Sequence, residues 1–359
     1  MIPMLQLARL LLSYSFAGDI SVTVFTAPLN RPFVADSLSG TKATIVDSLP
    51  HVSFMVSGGF LWWTLESARR LGFPRLVFLG MNCASTSILD NVFQNKLLSK
   101  VKSETEPVSI PDFPWIKVRK CDFVKDMFDP TSTTDPRFKL ILDQVTSMNQ
   151  SQGIIFNTFD DLEPVFIDFY KRKCELKPWT LGPLCCVNNF LEDEVEEKVK
   201  PSWMKWLDKK RDKGCNMLYR VGERGMMVRD EWVDQRKILE HESVRGFLSH
   251  CGWNSLVESI CSKVPILAFS LAAEQPLNAI LVVEELRVAR RVVAACEGVM
   301  KRGEITQKVK ELMEGEKGKE MRRSVEAYGK MAQKALEEGI GSSWENLDNL
   351  INEFCNNGI

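Results

Sequence analysis

The sequence predicts an α/β protein of two domains with parallel sheets. Three observations predict it. Helix-like and strand-like stretches alternate along the chain, the order that favours parallel sheets. The strand-like stretches are short apolar runs, such as residues 75–79 and 153–159, as expected for strands covered on both faces. The length, 359 residues, suggests about two domains at roughly 100–200 residues each.

Taken in order, residues 1–14 read as an amphipathic helix. No basic stretch precedes it, so it is not read as a secretory leader, and it is too short for a membrane span. Residues 21–25 read as a buried strand, 31–38 as a helix and 44–46 as a strand. The next strand is expected at 52–56, followed by a helix at 62–71, a strand at 75–79 and a helix at 82–94. Phe60, Trp62, Trp63 and Phe78 read mostly as core. Residues 100–150, rich in Pro, Ser, Thr and charge, read as a long, mostly irregular region. A strand at 153–159 leads to a helix start at 162–164. Residues 187–201 form a charged linker, and 202–208 a helix. Further strands are expected at 217–219, 244–248 and 288–293. Helices are expected from 256, at 276–286 with Pro in the first turn, at 304–313, at 318–338 and at 342–354, the last capped by Ser343.

Formal net charge is −1, which gives no electrostatic case for nucleic acid or an acidic membrane surface. Ten cysteines and three histidines occur. No Cys-x-x-Cys pair is present, so no zinc site is expected. Scattered cysteines in a chain of this size read as reduced thiols of a cytoplasmic protein.

The chemistry concentrates at Ser249-His250-Cys251-Gly252-Trp253-Asn254-Ser255. An apolar run precedes this loop and a helix pattern follows it. A strand, a small polar loop and a helix start make an anion site, because backbone N–H groups and the helix dipole converge there. Gly252 permits close backbone approach. Asn254 and Ser255 are N-cap types that also suit phosphate oxygens, and His250 adds a donor. Singly, Asn254 or Ser255 reads as a plain cap and Trp253 as core.

Together these residues resemble the signature box of the plant family 1 UDP-glycosyltransferases. Residues 232–275 have its length, with Trp232-x-x-Gln235, the His-Cys-Gly-Trp-Asn-Ser centre, Glu258, Val264-Pro265 and Glu274-Gln275 in place. The resemblance implies a GT-B type fold, two Rossmann-like domains facing each other. It divides the chain into an acceptor-side domain (1–186), the linker (187–201), a UDP-sugar-binding domain (202–340) and a last helix (341–359) that crosses back to the first domain. It implies that Trp232 stacks on uracil, and that Gln235 and Glu258 hold the ribose. His250, Asn254 and Ser255 would hold the diphosphate, and Trp253, Glu274 and Gln275 would contact the sugar. The partners implied are UDP-glucose or a related UDP-sugar, with Gln275 favouring glucose, and a small lipophilic plant acceptor. No metal or other cofactor is expected. Four residues depart from the pattern: Asp234 and Ser270 stand where proline is usual, and Arg245 and Lys263 where glycine is usual.

The resemblance also implies that both domains are incomplete. Family members open with a strand and a loop histidine ahead of the stretch that matches Ile2–Ala8, and that histidine is the general base. Its aspartate partner falls, by position, on Gly58. Further segments would be missing at the Pro50/His51 and Tyr219/Arg220 junctions, the second carrying a loop over the diphosphate. His51 reads as a surface loop residue. No residue is therefore assigned to catalysis. Inverting transfer is the ancestral reaction, and little turnover is expected of this exact chain. The alternatives are a non-catalytic UDP-sugar-binding remnant and an incomplete gene model.

Overall fold

The structure is a computed structural model. It describes residues 2–14, 20–26, 30–39, 41, 52–123, 136–190, 201–209, 226, 228, 233–292 and 302–356. The described strands are β1 (Met55–Gly58), β2 (Arg75–Leu79), β3 (Val108–Ile110), β4 (Phe113–Val118), β5 (Gly153–Phe156), β6 (Pro178–Thr180), β7 (Phe247–Ser249), β8 (Ile266–Ala268) and β9 (Ala289–Arg291). The chain falls into two compact units. One comprises Met1–Cys83, Asp129–Leu191 and Lys334–Ile359, the other Ala84–Phe128 and Glu192–Gln333.

In the first unit β1, β2, β5 and β6 form a parallel sheet in that order. β5 and β6 are buried throughout and β2 over all but its last residue, which is why residues 76–79 and 154–156 are unbroken apolar runs. The helix Ile2–Ser13 contributes Leu7, Leu10 and Leu11 to the core beside Leu76, Phe78, Ile155 and Trp179. Its spacing of three and four residues puts these leucines on one stripe. The helix Ser342–Ile351 adds Leu347, Leu350 and Ile351 to the same core. Tyr14 packs on Trp344 at 5.7 Å between ring centroids, and its hydroxyl donates to Asp348. Ser343, expected as a cap, is instead buried in the first turn and donates to the Gly182 carbonyl; Gly341 holds the cap position.

Beneath the end of β1 lies a buried cation. Arg75 is 1% exposed and is held by neutral oxygens alone. Nε donates to Ser57 Oγ at 2.8 Å and Thr64 Oγ1 at 3.0 Å. Nη1 donates to Ser147 Oγ at 3.0 Å and Ser151 Oγ at 2.7 Å, and Nη2 to the Leu61 carbonyl at 3.4 Å. Burial pulls its pKa down to about 10, so the guanidinium stays charged at neutral pH. Ser147 Oγ in turn donates to the Trp62 carbonyl at 3.0 Å. The turn between β1 and the helix Thr64–Leu71 is thus pinned from below.

The second unit holds the parallel sheet β7-β8-β9 and the antiparallel pair β3-β4. The helix Trp253–Cys261 connects β7 to β8. The helix Gln275–Ile280, extended by a π turn at Leu281–Glu285, connects β8 to β9. Leu267, Val292, Leu312 and Met321 form a core beneath the helices Arg302–Glu314 and Glu316–Ala335. No helix among the described residues is long and apolar enough to cross a membrane.

Several expectations need correction. Residues 20–26 hold no strand, only an isolated bridge at Thr23. Val22 and Val24 pack half-buried against Leu5, Ala8, Val34 and Leu38 instead, so these β-branched residues serve helix packing. The strand expected at 52–56 begins at Met55, where its N–H meets the Pro74 carbonyl, and runs on to Gly58. Phe78 is core, but Phe60, Trp62 and Trp63 are 75%, 38% and 51% exposed. The region expected to be irregular contains the hairpin β3-β4 and the 14-residue helix Pro136–Asn149. Phe113, Ile116 and Val118 face inward along β4, an alternation hidden by the turn residues around it. Seven described cysteines are free thiols, whereas Cys121 is disulfide-bonded, against the expectation of reduced thiols throughout. The strands expected at 44–46 and 217–219, His51 and both junctions lie outside the described residues.

Replacing Arg75 tests the pinned turn. Arg75→Leu removes the shared donor of four hydroxyls and leaves buried polar atoms unsatisfied. It is expected to destabilise the first unit by about 3 kcal/mol, read as a lower denaturant midpoint.

Candidate functional site

The loop after β7 is built by its own backbone requirements. Cys251 has φ +67°, a left-handed conformation unusual for a side-chain-bearing residue. Three contacts hold it there. Its N–H donates to Ser249 Oγ at 3.1 Å, its carbonyl accepts from Asn278 Nδ2 at 2.9 Å, and its thiol reaches back to the Ser249 carbonyl at 3.6 Å. Burial pushes the Cys251 thiol up to about 12, so it packs rather than reacts.

Gly252 caps the helix Trp253–Cys261 with φ −63° and ψ 135°, and its carbonyl takes the first helical bond from Leu256 at 3.1 Å. A Cβ here would overlap the His250 ring at Nε2. Glycine is therefore required for the exposed imidazole to fold back over the helix start. Asn254 and Ser255, expected as caps, occupy the second and third helical positions. That is where N–H groups lack partners within their own helix and where the positive end of the dipole lies. Trp253 is 1% exposed. Its indole is core, so any sugar contact from this residue must use its backbone.

The residues assigned to ribose and diphosphate converge. Gln235 Nε2 donates to Glu258 Oε2 at 2.6 Å and to Ser255 Oγ at 3.1 Å. Asp234 caps the helix Gln235–Leu239, accepting from Lys237 N–H at 3.0 Å. An acidic cap at the usual proline position thus fixes the helix that presents Gln235. Burial raises the Glu258 pKa, opposed by the bond from Gln235. After β8, Gln275 Oε1 accepts from Leu271 N–H and Ala272 N–H, both at 3.0 Å. Two backbone donors fix the amide orientation, which leaves Nε2 as the outward donor. Glu274 is half-buried at the cap of the same helix. Trp232 lies outside the described residues.

Asn278 was not singled out from the sequence. It is fully buried on the apolar face of the Gln275–Ile280 helix, and that polar residue in an apolar stripe was the available signal. Of the other departures, Ser270 is buried with its hydroxyl unpartnered. Lys263 has φ +59°. Val264 N–H meets the Ser259 carbonyl at 2.9 Å and Lys263 N–H the Ile260 carbonyl at 3.0 Å, which is the helix stop that glycine favours.

A parallel sheet with a polar loop and a helix start at a strand's carboxyl end has the form of an α/β ligand-binding domain, and comparison with known proteins gives its class. Residues 219–326 match the family model for UDP-glucoronosyl and UDP-glucosyl transferase. UDP-glycosyltransferase 90A2 of Arabidopsis thaliana is 70% identical over 448 positions, covering 100% of this chain and 96% of that protein. UDP-glycosyltransferase 90A1 of the same plant is 40% identical, covering 99% and 94%. The chain belongs to the plant UDP-glycosyltransferase family. The first alignment runs over 448 positions against 359 residues in this chain, so it carries gaps on this chain's side. The solved structure of Phytolacca americana UGT2 complexed with UDP-2fluoro-glucose and pterostilbene matches with a TM-score of 0.75 at 23% identity, covering 98% of this chain and 96% of that one. The fold is therefore GT-B.

Lys263→Gly tests the strained stop. Relieving a left-handed residue outweighs the loss of a partly exposed ion pair to Glu326 at 3.8 Å. Thermal denaturation should show a gain of about 0.5–1 kcal/mol.

Proposed function

We propose that the second unit binds a UDP-sugar at the helix start after β7. The observation that carries this reading is the cluster of Gln235, Ser255 and Glu258, linked at 2.6 and 3.1 Å beside a helix N-terminus. Glu258 and Gln235 take the ribose hydroxyls. The start of the helix, with His250, Asn254 and Ser255, takes the diphosphate without a metal. Gln275 Nε2 and Glu274 meet the sugar, and Trp232 stacks on the base. The donor is a hexose nucleotide, with glucose favoured, and the acceptor is a hydroxyl of a small lipophilic plant metabolite. The family reaction is an inverting displacement at the anomeric carbon, with UDP leaving.

Turnover by this chain is slow. β1 ends at Gly58, which carries no carboxylate to orient a base. Of the three histidines, His241 contacts Asp208 at 3.3 Å in the second unit, His250 belongs to the proposed diphosphate loop, and His51 lies outside the described residues. Transfer without a positioned general base is slower by about 10²–10⁴-fold. Gly58 equally favours the second reading, a chain that binds UDP-sugar without transferring it; an incomplete gene model explains the same gaps and is tested by sequencing the transcript.

Calorimetry with UDP and UDP-glucose tests the site. Both should bind, and both Trp232→Ala and His250→Ala should abolish binding. No heat at millimolar ligand overturns the reading. The protonation of Glu258 gives a second test. Its folded pKa lies above the ordinary 4.5, so its acceptor oxygens are lost on acidification earlier than for a free glutamate. UDP affinity should fall as pH drops through that raised value, and Glu258→Gln should flatten the fall relative to the parent. By linkage the same shift makes the fold lose stability as pH rises from 4.5 through the folded pKa, because the folded state holds its proton longer.

A further inference from the structure

We infer that the second unit carries a second anion site, at the opposite end of its sheet from the nucleotide loop, that takes a small multiply charged oxyanion of the phosphate or pyrophosphate type. Arg245 and Lys263, the two cations that replace glycines in the signature, line one cavity of about 330 Å³ together with Arg322, Glu242, Pro265 and Met313. The strand register explains their meeting. Phe247 pairs with Ile266, so the residues entering the two strands lie side by side, and Arg245 and Lys263 flank the same amino-terminal edge. His250 lies five residues beyond Arg245 across β7, on the order of 15 Å away at strand rise. The site is thus separate from the proposed donor site.

The charge there is only partly neutralised. Arg245 is exposed and makes no ion pair among the described residues. Arg322 spends its donors on the carbonyls of Leu312 at 2.8 Å and Met313 at 3.3 Å, not on a carboxylate. Lys263 shares Glu326 with Lys330, at 3.8 and 3.3 Å. Three cations and Glu242 therefore line the cavity, and Glu326, shared between two lysines, offsets Lys263 only in part. The Lys263 stem lies over Gly329, where a Cβ would overlap its Cγ, and its ammonium stands 3.8 Å from Glu326. Replacement of two glycines by cations at one cavity, one of them in a strained backbone conformation, is what an oxyanion site requires. A cavity of this volume is at the lower end of ligand-pocket sizes, which suits a small anion rather than a whole sugar nucleotide.

The test is titration of the full chain with inorganic pyrophosphate, followed by calorimetry. Saturable binding is expected to persist in His250→Ala, where the nucleotide loop is disabled, and to weaken at least tenfold when Arg245→Glu is added. Arg245→Gln and Lys263→Gln should each weaken it as well. These substitutions only neutralise one charge, so they keep the test independent of any folding defect in the charge reversal, and a thermal melt of each variant checks folding. Absence of saturable binding overturns the proposal. So does binding lost in His250→Ala but kept in Arg245→Glu, which would assign pyrophosphate to the nucleotide loop.

Discussion

The bond from Asn278 Nδ2 to the Cys251 carbonyl is the constraint on which the proposed nucleotide site depends. It ties the loop after β7 to the helix after β8, so the two halves of the signature cannot move apart. A left-handed cysteine is costly unless its surroundings over-determine it, and here Ser249 and Asn278 do so from both sides. With Cys251 fixed, Gly252 must cap the next helix and His250 must fold over it. The apolar stripe below, with Trp253, Leu256, Val257 and Ile260 all buried, anchors the helix so that its first turn faces outward. Binding groups and core packing are therefore set by one turn of backbone.

The same economy governs Gln235. It is presented by a five-residue helix too short to be stable alone. The Asp234 cap and the contacts to Ser255 and Glu258 hold it. The cluster is preorganised by bonds among its own members, and a ribose would exchange with some of those bonds. The half-buried Glu258 carboxylate is held in readiness in this way, since burial favours its neutral form while the Gln235 hydrogen bond and the Arg236 charge oppose that.

Much of this was legible in the sequence because the relevant signals are local. Strand β2, buried on both faces, reads as an apolar run, and the helices Ile2–Ser13 and Trp253–Cys261 read from their periodicity. The site was legible because glycine, histidine, asparagine and serine in fixed order carry a geometric requirement. What stayed hidden depends on partners distant in sequence. Residues 21–25 have strand composition, but their valines pack against helices. The hairpin β3-β4 was masked by its own turn residues. The exposure of Phe60, Trp62 and Trp63 follows from a turn held by Arg75, Ser147 and Ser151, which lie up to ninety positions away in sequence. Asn278 was missed for the same reason, because its value lies in the carbonyl it meets.

The Arg75 network has one more consequence. It supports the turn after β1 from beneath, through Ser57, Leu61, Thr64 and, by way of Ser147, Trp62, and uses no atom of the Gly58 side. A Cβ placed at Gly58 meets nothing within 4 Å. The end of this strand is thus a vacant socket on an intact mount. A side chain introduced at that point would be received without rearrangement, so sequences that differ there by a single residue could share the same scaffold.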